Sequence, residues 1–456
     1  MEKNKTQAAL TEGPIRPILV RLTIPMLFGI IGMVIFNLVD TIYIGRLGTE
    51  PLAALSFTFP VVMVVTSIGL GIGVGSSSLI SFAIGEGNHG KVQRITSDSL
   101  VLSLVLVGIF ITIGYFTIDP LFTLLGASPS ILILIREYMS IWYLGVPFVI
   151  IPMVGSNALR AKGDMKTPAV IMLTIVIVNI ILDPILIFGL GPFPELGLRG
   201  AAIATVFARG LSLFIGLYVL HYRDNMLTFK SPGVTEVLNS WKSLLSIALP
   251  AAGARIIVPI AIGIVTHLIA QYGPEAVAAF GAASRAEFFM LAIIMALGSV
   301  MNPFVGQNIG ANKVDRARSA LKQGIIFAVL WGIGSYVFLF SLSKPIARMF
   351  STDEQVIEYI ILYLSIVPLG YAFRSVFDLV ANVLNVLRKP LLAAGLVFTQ
   401  MIVLIIPLIY LGSYLFEIRG IFYGIVLANI VSGVIGYLTI NWQLKNPITG
   451  TAKPLL

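Results

Sequence analysis

The sequence contains no cysteine and few charged residues. Without cysteine, its 456 residues can form no disulfide, no thiolate metal site and no thiol-based catalytic centre. Only 11% of the residues are charged and 57% are hydrophobic, a balance that excludes an ordinary soluble protein. The polar N-terminus lacks the apolar core and small-residue cleavage site of a signal peptide, so we expect none to be removed.

Apolar segments long enough to cross about 30 Å of hydrocarbon recur along the whole chain. They predict an all-α membrane protein with twelve transmembrane helices. The predicted spans are 18–46, 52–83, 94–118, 131–155, 167–190, 199–221, 243–270, 277–305, 320–342, 357–384, 390–413 and 420–442.

The connections between these spans alternate in charge. One set carries twenty Lys and Arg residues and the other set carries five. By the positive-inside rule, this asymmetry predicts a multi-pass protein of the cell membrane with both termini in the cytoplasm. The formal net charge of +9 therefore reflects membrane topology, and we expect no nucleic acid partner.

The two halves of the chain are copies of each other. At a shift of 225 residues Pro25 aligns with Pro250, and Gly48 aligns with Gly273. Each copy has six spans, an even number, so both copies enter the membrane in the same direction. We predict two six-helix bundles.

The longest internal connection, near the middle of the chain, separates these copies. It divides the protein into an N-terminal lobe over 1–222 and a C-terminal lobe over 243–456. Residues 223–242 form the predicted cytoplasmic linker.

The first span contains an acidic residue deep in the membrane. Asp40 follows Pro25 by 15 residues, or about 22 Å of helix. A carboxylate at this depth is energetically costly and usually has a function. Pro25 interrupts the hydrogen-bond ladder of the same helix, so we predict a hinge there.

A second acid, Asp183, lies in the fifth span, one helical turn after Asn179. Thr205 follows Ala201 by the same interval in the sixth span, so each pair shares a helix face. In the second copy, the positions that correspond to the polar residues are all aliphatic. Asp40 aligns with Val265, Asn179 with Ile402, Asp183 with Ile406, and Thr205 with Ile425.

This difference between the copies indicates that the fold does not require the polar residues. Oxygen ligands without His or Cys suit a hard cation, Na⁺ or H⁺, better than zinc or copper. Two neighbouring carboxylates cannot both ionise cheaply, so the pair should titrate as a unit. The alternative is a hydrogen-bonded polar cluster that only fixes the helix register.

Three motifs in the first half carry a family resemblance: NALRAKGDMKTP (157–168), NIILDP (179–184) and RGAAIAT (199–205). Together with Pro25, Asp40 and the repeat, they resemble the multidrug and toxic compound extrusion (MATE) family, most of all its DinF-like prokaryotic and archaeal branch. The resemblance covers essentially the whole chain. It implies a V-shaped pair of lobes with a central cleft, and drug export coupled to H⁺ or Na⁺.

Carried over from the family, the coupling site consists of Asp40, Asn179, Asp183 and Thr205, with the Ala201 carbonyl as a further ligand. Relatives of the NorM type have an acidic cation site in the second lobe. Val265 at the position of Asp40 argues against such a site here. The predicted substrate cleft includes four residues of the first lobe: Met33, Asn37, Asn157 and Met172.

We therefore predict a secondary active exporter, not an enzyme, that antiports amphiphilic and often cationic compounds against H⁺ or Na⁺. It should work as a monomer among membrane lipids, without a cofactor. The main alternative is a flippase for lipids or lipid-linked saccharides. A flippase for pyrophosphate carriers should line its cleft with arginines, whereas the first lobe offers acids. A channel lacks support, because no filter-like repeat is present.

The glycine-rich segment GLGIGVGSSS (69–78) superficially resembles a nucleotide-binding loop. It lies within a predicted span, without a preceding strand or a phosphate-binding lysine. Close helix packing through small residues explains it better.

Overall fold

The computed structural model describes residues 8–230 and 233–445, apart from the side chains of Asn37, Thr49 and Lys445. This part of the chain contains fourteen α-helices. They are α1 (Ile15–Gly45), α2 (Thr49–Gly85), α3 (His89–Leu124), α4 (Pro129–Lys162), α5 (Lys166–Phe188), α6 (Gly197–Tyr218), α7 (Val234–Ala270), α8 (Pro274–Gly310), α9 (Val314–Ser341), α10 (Ser343–Phe350), α11 (Glu354–Ile366), α12 (Tyr371–Val386), α13 (Pro390–Phe398) and α14 (Ile406–Lys445).

Short segments of other helix types extend several of these helices. A π-helical segment, Val219–Arg223, continues α6, and a second one, Thr399–Ile405, joins α13 to α14. A 3₁₀ segment, Val367–Gly370, joins α11 to α12 into one span. Such segments change the direction in which the following side chains point, without ending the span.

Eleven helical stretches of the described chain are long and apolar enough to cross a membrane. The longest, Pro390–Leu444, has 55 residues and would be about 80 Å long, enough for two crossings. It breaks at Phe416 and Glu417, whose backbone angles are not helical. With this break the chain crosses twelve times, and the prediction of an all-α protein with twelve transmembrane helices is confirmed.

The structure differs from the sequence prediction in several places, and several helices extend beyond their predicted ends. The largest extension is that of α7, which begins at Val234, nine residues before the predicted start at 243 and inside the predicted linker over 223–242. Residues 414–419, predicted as a loop, are helical except at the break in α14. The eight-residue helix α10 lies in a predicted loop. It has a polar face and is too short to cross a membrane, so hydropathy did not predict it. Finally, α3 extends by several residues beyond the predicted 94–118 at both ends.

The chain divides into two compact units. Unit 1 contains residues 24–252, and unit 2 contains residues 10–23 and 253–445 of the described chain. The division therefore falls within α1 and within α7, two residues or fewer from the equivalent prolines Pro25 and Pro250. Trp142 and Tyr143 lie in a large apolar core of unit 1, and Tyr363 and Tyr371 lie in that of unit 2.

Glycines allow the helices of each unit to pack closely. Gly200 of α6 faces the Leu186 carbonyl of α5, and Gly332 of α9 faces the backbone of Ala372 in α12. A Cβ atom at either glycine would overlap those backbone atoms, which cannot move aside. Small residues at helix contacts are typical of membrane bundles, where close approach replaces the hydrophobic driving force.

An ionic network joins the ends of α4, α5 and α6 in unit 1. Lys162 donates to Asp224 over 2.8 Å, and Arg223 donates to both Asp224 (2.8 Å) and Asp164 (2.5 Å). Arg223 also donates to the Thr167 hydroxyl over 2.7 Å. Burial of the Asp224 carboxyl group opposes ionisation, but the hydrogen bonds from Arg223 and Lys162 hold the pKa of Asp224 below its ordinary value.

The segment before α1 is attached to the end of α8 and the start of α9 in unit 2. The Leu10 amide donates to Gln307 over 3.2 Å, and Asn308 donates to the Leu10 carbonyl over 3.1 Å. Lys313 donates to the Thr11 carbonyl over 3.1 Å. These bonds join positions separated by about 300 residues.

Replacing Asp224 should destabilise unit 1. In Asp224→Asn the charge-assisted hydrogen bonds of Lys162 and Arg223 are weakened, and we expect the free energy of unfolding to fall by about 1–3 kcal/mol at pH 7. Because the folded pKa lies below the unfolded value of about 3.9, this contribution should be complete above about pH 5 and lost as the pH falls below 4. Unfolding in detergent between pH 3 and pH 7 measures both effects.

Asp315→Asn is the matched control. The Asp315 side chain is 96% exposed in its ion pair with Arg318, so its loss should change the free energy of unfolding by less than about 0.5 kcal/mol. An equal loss in both variants, or a difference from wild type that does not decrease between pH 5 and pH 3, would contradict the assigned role of Asp224.

Candidate functional site

Asp183 and Asn179 occupy one buried face of α5. Both side chains are 0% exposed. The Asn179 amide donates to the Thr205 hydroxyl of α6 over 3.5 Å, so the two helices hold these residues together as the spacing predicted. Neither carboxylate oxygen of Asp183 has a hydrogen-bond partner among the described residues, and the same is true of the Asn179 side-chain oxygen.

Asp40 reaches this region from α1. Gly29 and Gly32 let α1 pack closely on α5, where they face Ala169 and Leu173. Asp40 and Asp183 are close enough to interact electrostatically. The buried Oδ1 atom of Asp40 has no partner in the described chain either. The structure thus brings together both predicted acids, although they lie on different helices.

Ala201 lies one turn before Thr205 on α6 and is 1% exposed. It belongs to the apolar core of unit 1 together with Trp142 and Ile187. This small side chain permits close helix packing beside the polar face of α6.

Two further polar residues border the acids. Tyr138 of α4 is 7% exposed, and it interacts electrostatically with Asp40, with Asp183 and with Arg209 of α6. The buried Nε atom of Arg209 has no hydrogen-bond partner among the described residues. Sequence analysis missed both residues. Arg209 is one turn after Thr205, a spacing that could have indicated it, whereas no pattern distinguishes Tyr138 from other tyrosines in the spans.

The residues predicted to line a substrate cleft lie in different surroundings. Met172 of α5 contacts Gly29 of α1 at the helix interface, and Met33 is partly buried on α1. Asn157 is 8% exposed; it donates to the Met153 carbonyl over 2.8 Å and faces Gly73 of α2. Asn157 therefore takes part in packing between α2 and α4. The side chain of Asn37 lies outside the described residues.

The unpartnered oxygen atoms determine what this arrangement can do chemically. A buried carboxylate without a hydrogen-bond partner must be protonated or must have a cation bound to it. Carboxylate, amide and hydroxyl oxygens are the ligand types that hard cations prefer. The four side chains therefore fit either a proton shared by the acids or a Na⁺ ion.

The acids in the spans of unit 2 are paired instead. Glu287 of α8 accepts a hydrogen bond from Arg374 over 2.6 Å and another from the Tyr363 hydroxyl. Arg374 also lies 3.9 Å from Asp378. Arg374 thus has two acidic partners, of which Glu287 is the closer.

Two residues of unit 2 that correspond to coupling residues of unit 1 also have apolar surroundings. Val265 lies in the hydrophobic core of this unit, and Ile425 packs against it. The asymmetry between the copies thus extends from residue type to environment.

A family model for MatE matches the chain twice, at residues 25–185 and at residues 250–411. The chain belongs to the MATE family. The two matches begin 225 residues apart, since 250 − 25 = 225, which is the shift of the internal repeat. MATE proteins are membrane transporters and not enzymes, so both of these predictions are confirmed.

Relatives with assigned names match over nearly the whole chain. A Shewanella oneidensis protein named FAD transporter is 37% identical, with 99% of this chain and 100% of the relative covered. The multidrug export protein MepA of Staphylococcus haemolyticus is 28% identical over 96% of each chain. The Vibrio cholerae MATE transporter VcmN in the bent form superposes with a TM-score of 0.89 at 28% identity, covering 96% of this chain and 98% of that one.

Asp183 and Glu287, both acids within spans, should respond differently to neutralisation. Asp183→Asn replaces an unpartnered acid with an amide of the same shape, so we expect the free energy of unfolding to change by less than about 1 kcal/mol or to rise. Glu287→Gln removes the partner of a buried arginine, and we expect a loss of about 3 kcal/mol. Unfolding midpoints in detergent at pH 7 compare the variants directly. Equal destabilisation by both would mean that Asp183 is structural.

Proposed function

We propose that this MATE family protein is a secondary active antiporter that exports amphiphilic organic compounds while H⁺ or Na⁺ enters at Asp40 and Asp183. One observation carries the proposal. Two acids of unit 1 that interact electrostatically have buried oxygen atoms without a hydrogen-bond partner among the described residues. The helix register alone does not require such a costly arrangement, because the second copy keeps its fold with Val265 and Ile406 at these positions.

Coupling follows from the different hydration of the site in two conformations. In a conformation open to water the acids can ionise, and in a closed one the apolar surroundings favour a bound proton or Na⁺. The bound ion shifts the equilibrium between conformations only by its difference in affinity for them. One pKa unit of difference corresponds to about 1.4 kcal/mol, or about tenfold in the ratio of conformations.

The Pro25 region of α1 is the proposed point of bending. Residues 10–23 group with unit 2, and residues 24–252 group with unit 1. A proline at this position removes one backbone hydrogen bond in every conformation, so bending there costs less than elsewhere in α1.

The charge alternation of the loops supports cytoplasmic termini.

The relatives suggest two kinds of cargo. MepA, named as a multidrug exporter, supports cationic amphiphiles. The FAD transporter of Shewanella oneidensis has the higher identity, 37% over the full chain, and supports a phosphorylated flavin as the second candidate. A lipid flippase is the alternative function, and the transport assay must distinguish it from an exporter of soluble compounds.

Neutralising either coupling acid should abolish gradient-driven export. For Asp40→Asn and Asp183→Asn in proteoliposomes, we expect flux under an imposed pH or Na⁺ gradient to fall to the level of protein-free vesicles, because neither amide can bind and release the ion. Imposing the two gradients separately identifies the coupling ion. Asp119→Asn, at an exposed ion pair with Arg136, serves as the control and should transport like wild type. Unchanged flux in both site variants would remove the acids from the mechanism.

Pro25→Ala should slow the conformational exchange without removing ion binding. Restoring the hydrogen bond stiffens α1, and a tenfold slower exchange would correspond to about 1.4 kcal/mol in the barrier. Spectroscopic labels on α1 and α8, followed from pH 5 to pH 8, report the exchange. Pro60→Ala, at another proline inside a span, is the control. A wild-type distance independent of pH, or equal exchange rates in Pro25→Ala and wild type, would exclude the hinge.

A further inference from the structure

Two arginines of unit 2, Arg255 and Arg285, lie deep within spans and are exposed. Arg255 follows the predicted start of its span at residue 243 by 12 residues and precedes Ala270 by 15, or about 18 Å and 22 Å. Arg285 follows the start of α8 by 11 residues, or about 17 Å. Both arginines therefore lie well inside their spans, where an exposed charge needs water or a ligand.

Neither arginine has a hydrogen bond or an ion pair with any described residue. The acids of the neighbouring spans in this unit do not supply one, because Glu287 is bound by Arg374 and Tyr363, and Asp378 is nearest to Arg374. An exposed charge at this depth does not face lipid; it faces a water-filled cavity or a ligand.

The two arginines lie on consecutive antiparallel helices. The loop between α7 and α8 contains only residues 271–273, and Leu268 of α7 and Ala276 of α8 belong to one apolar cluster. Counted from this loop, Arg255 and Arg285 differ in depth by only about 6 Å. One extended anion could contact both.

The internal repeat shows whether the fold itself requires these two arginines. At the shift of 225 residues, Arg255 corresponds to Ile30 and Arg285 corresponds to Pro60. The fold therefore forms without a cation at either position. The second copy carries cations where the first copy is apolar, and it is apolar where the first copy carries acids.

We propose that Arg255 and Arg285 bind the phosphate groups of the transported substrate, so that the protein selects a phosphorylated, amphiphilic organic anion. This inference rests on the proposed export function and adds to it the class of cargo. The planar guanidinium group presents paired N–H donors that match phosphate oxygens, and it is weakly hydrated, which suits a site in a membrane. Lipid headgroups offer the same phosphate chemistry, and the experiment separates the two sources.

Flavins provide a graded set of probes, because riboflavin, FMN and FAD carry the same ring with zero, one and two phosphates. The fluorescence of each flavin is titrated with the purified full chain in detergent. We expect wild type to bind FAD more tightly than riboflavin. Arg255→Gln and Arg285→Gln should each weaken FAD binding at least tenfold and leave riboflavin binding unchanged. Arg348→Gln, at an exposed arginine of α10, is the matched control and should bind like wild type.

The same variants are then tested in proteoliposomes under the coupling gradient. We expect them to lose FAD export and to retain export of a cationic dye, whereas Asp40→Asn loses both. Loss of cargo selectivity is thereby distinguished from failure of the coupling mechanism.

Three results would overturn the proposal. In the first, FAD binding is unchanged in the double variant. In the second, riboflavin binding falls in parallel with FAD binding, which would indicate a structural role. In the third, the arginine variants lose binding of phosphatidylglycerol in nanodiscs while FAD does not compete for it, which would assign the phosphate site to lipid.

Discussion

Hydrocarbon offers no hydrogen-bond partner and little screening, so each charged group within a span must be paired, neutralised or in contact with water. This constraint divides the charges of the protein into two groups. Glu287 and Arg374 satisfy each other inside unit 2 and contribute to its structure. Asp40 and Asp183 do not find such partners among the described residues, and their environment is tolerable only when an ion or a proton is bound.

The internal repeat distinguishes residues that the fold requires from residues that serve a function. The two copies share one fold, so a costly residue that only one copy carries is not required for folding. Asp183 aligns with Ile406, and Arg255 aligns with Ile30. The first copy has specialised in acids and the second in arginines, and ion coupling and cargo selection are accordingly proposed for different halves of one chain.

Hydropathy predicted the spans because burial in lipid leaves a long, continuous signal in the sequence. The short helix α10 left no such signal, whereas the break at Phe416 and Glu417 lies inside the connection predicted between the last two spans. Helical spacing predicted that Asn179 and Asp183 share a face. It could not predict that Glu287 is bound by Arg374, 87 residues away, because tertiary packing selects among partners that local spacing treats as equivalent.

The attachment of Leu10 to Gln307 and Asn308 has a consequence for biosynthesis. The residues that hold the N-terminal segment are made about 300 positions later. At a synthesis rate of 5–20 residues per second, this delay is about 15–60 s. During that time the ribosome has delivered most of the helices to the insertion machinery while the first segment waits without its partners. The nascent chain thus attaches its N-terminal segment only after synthesis of the second copy has begun.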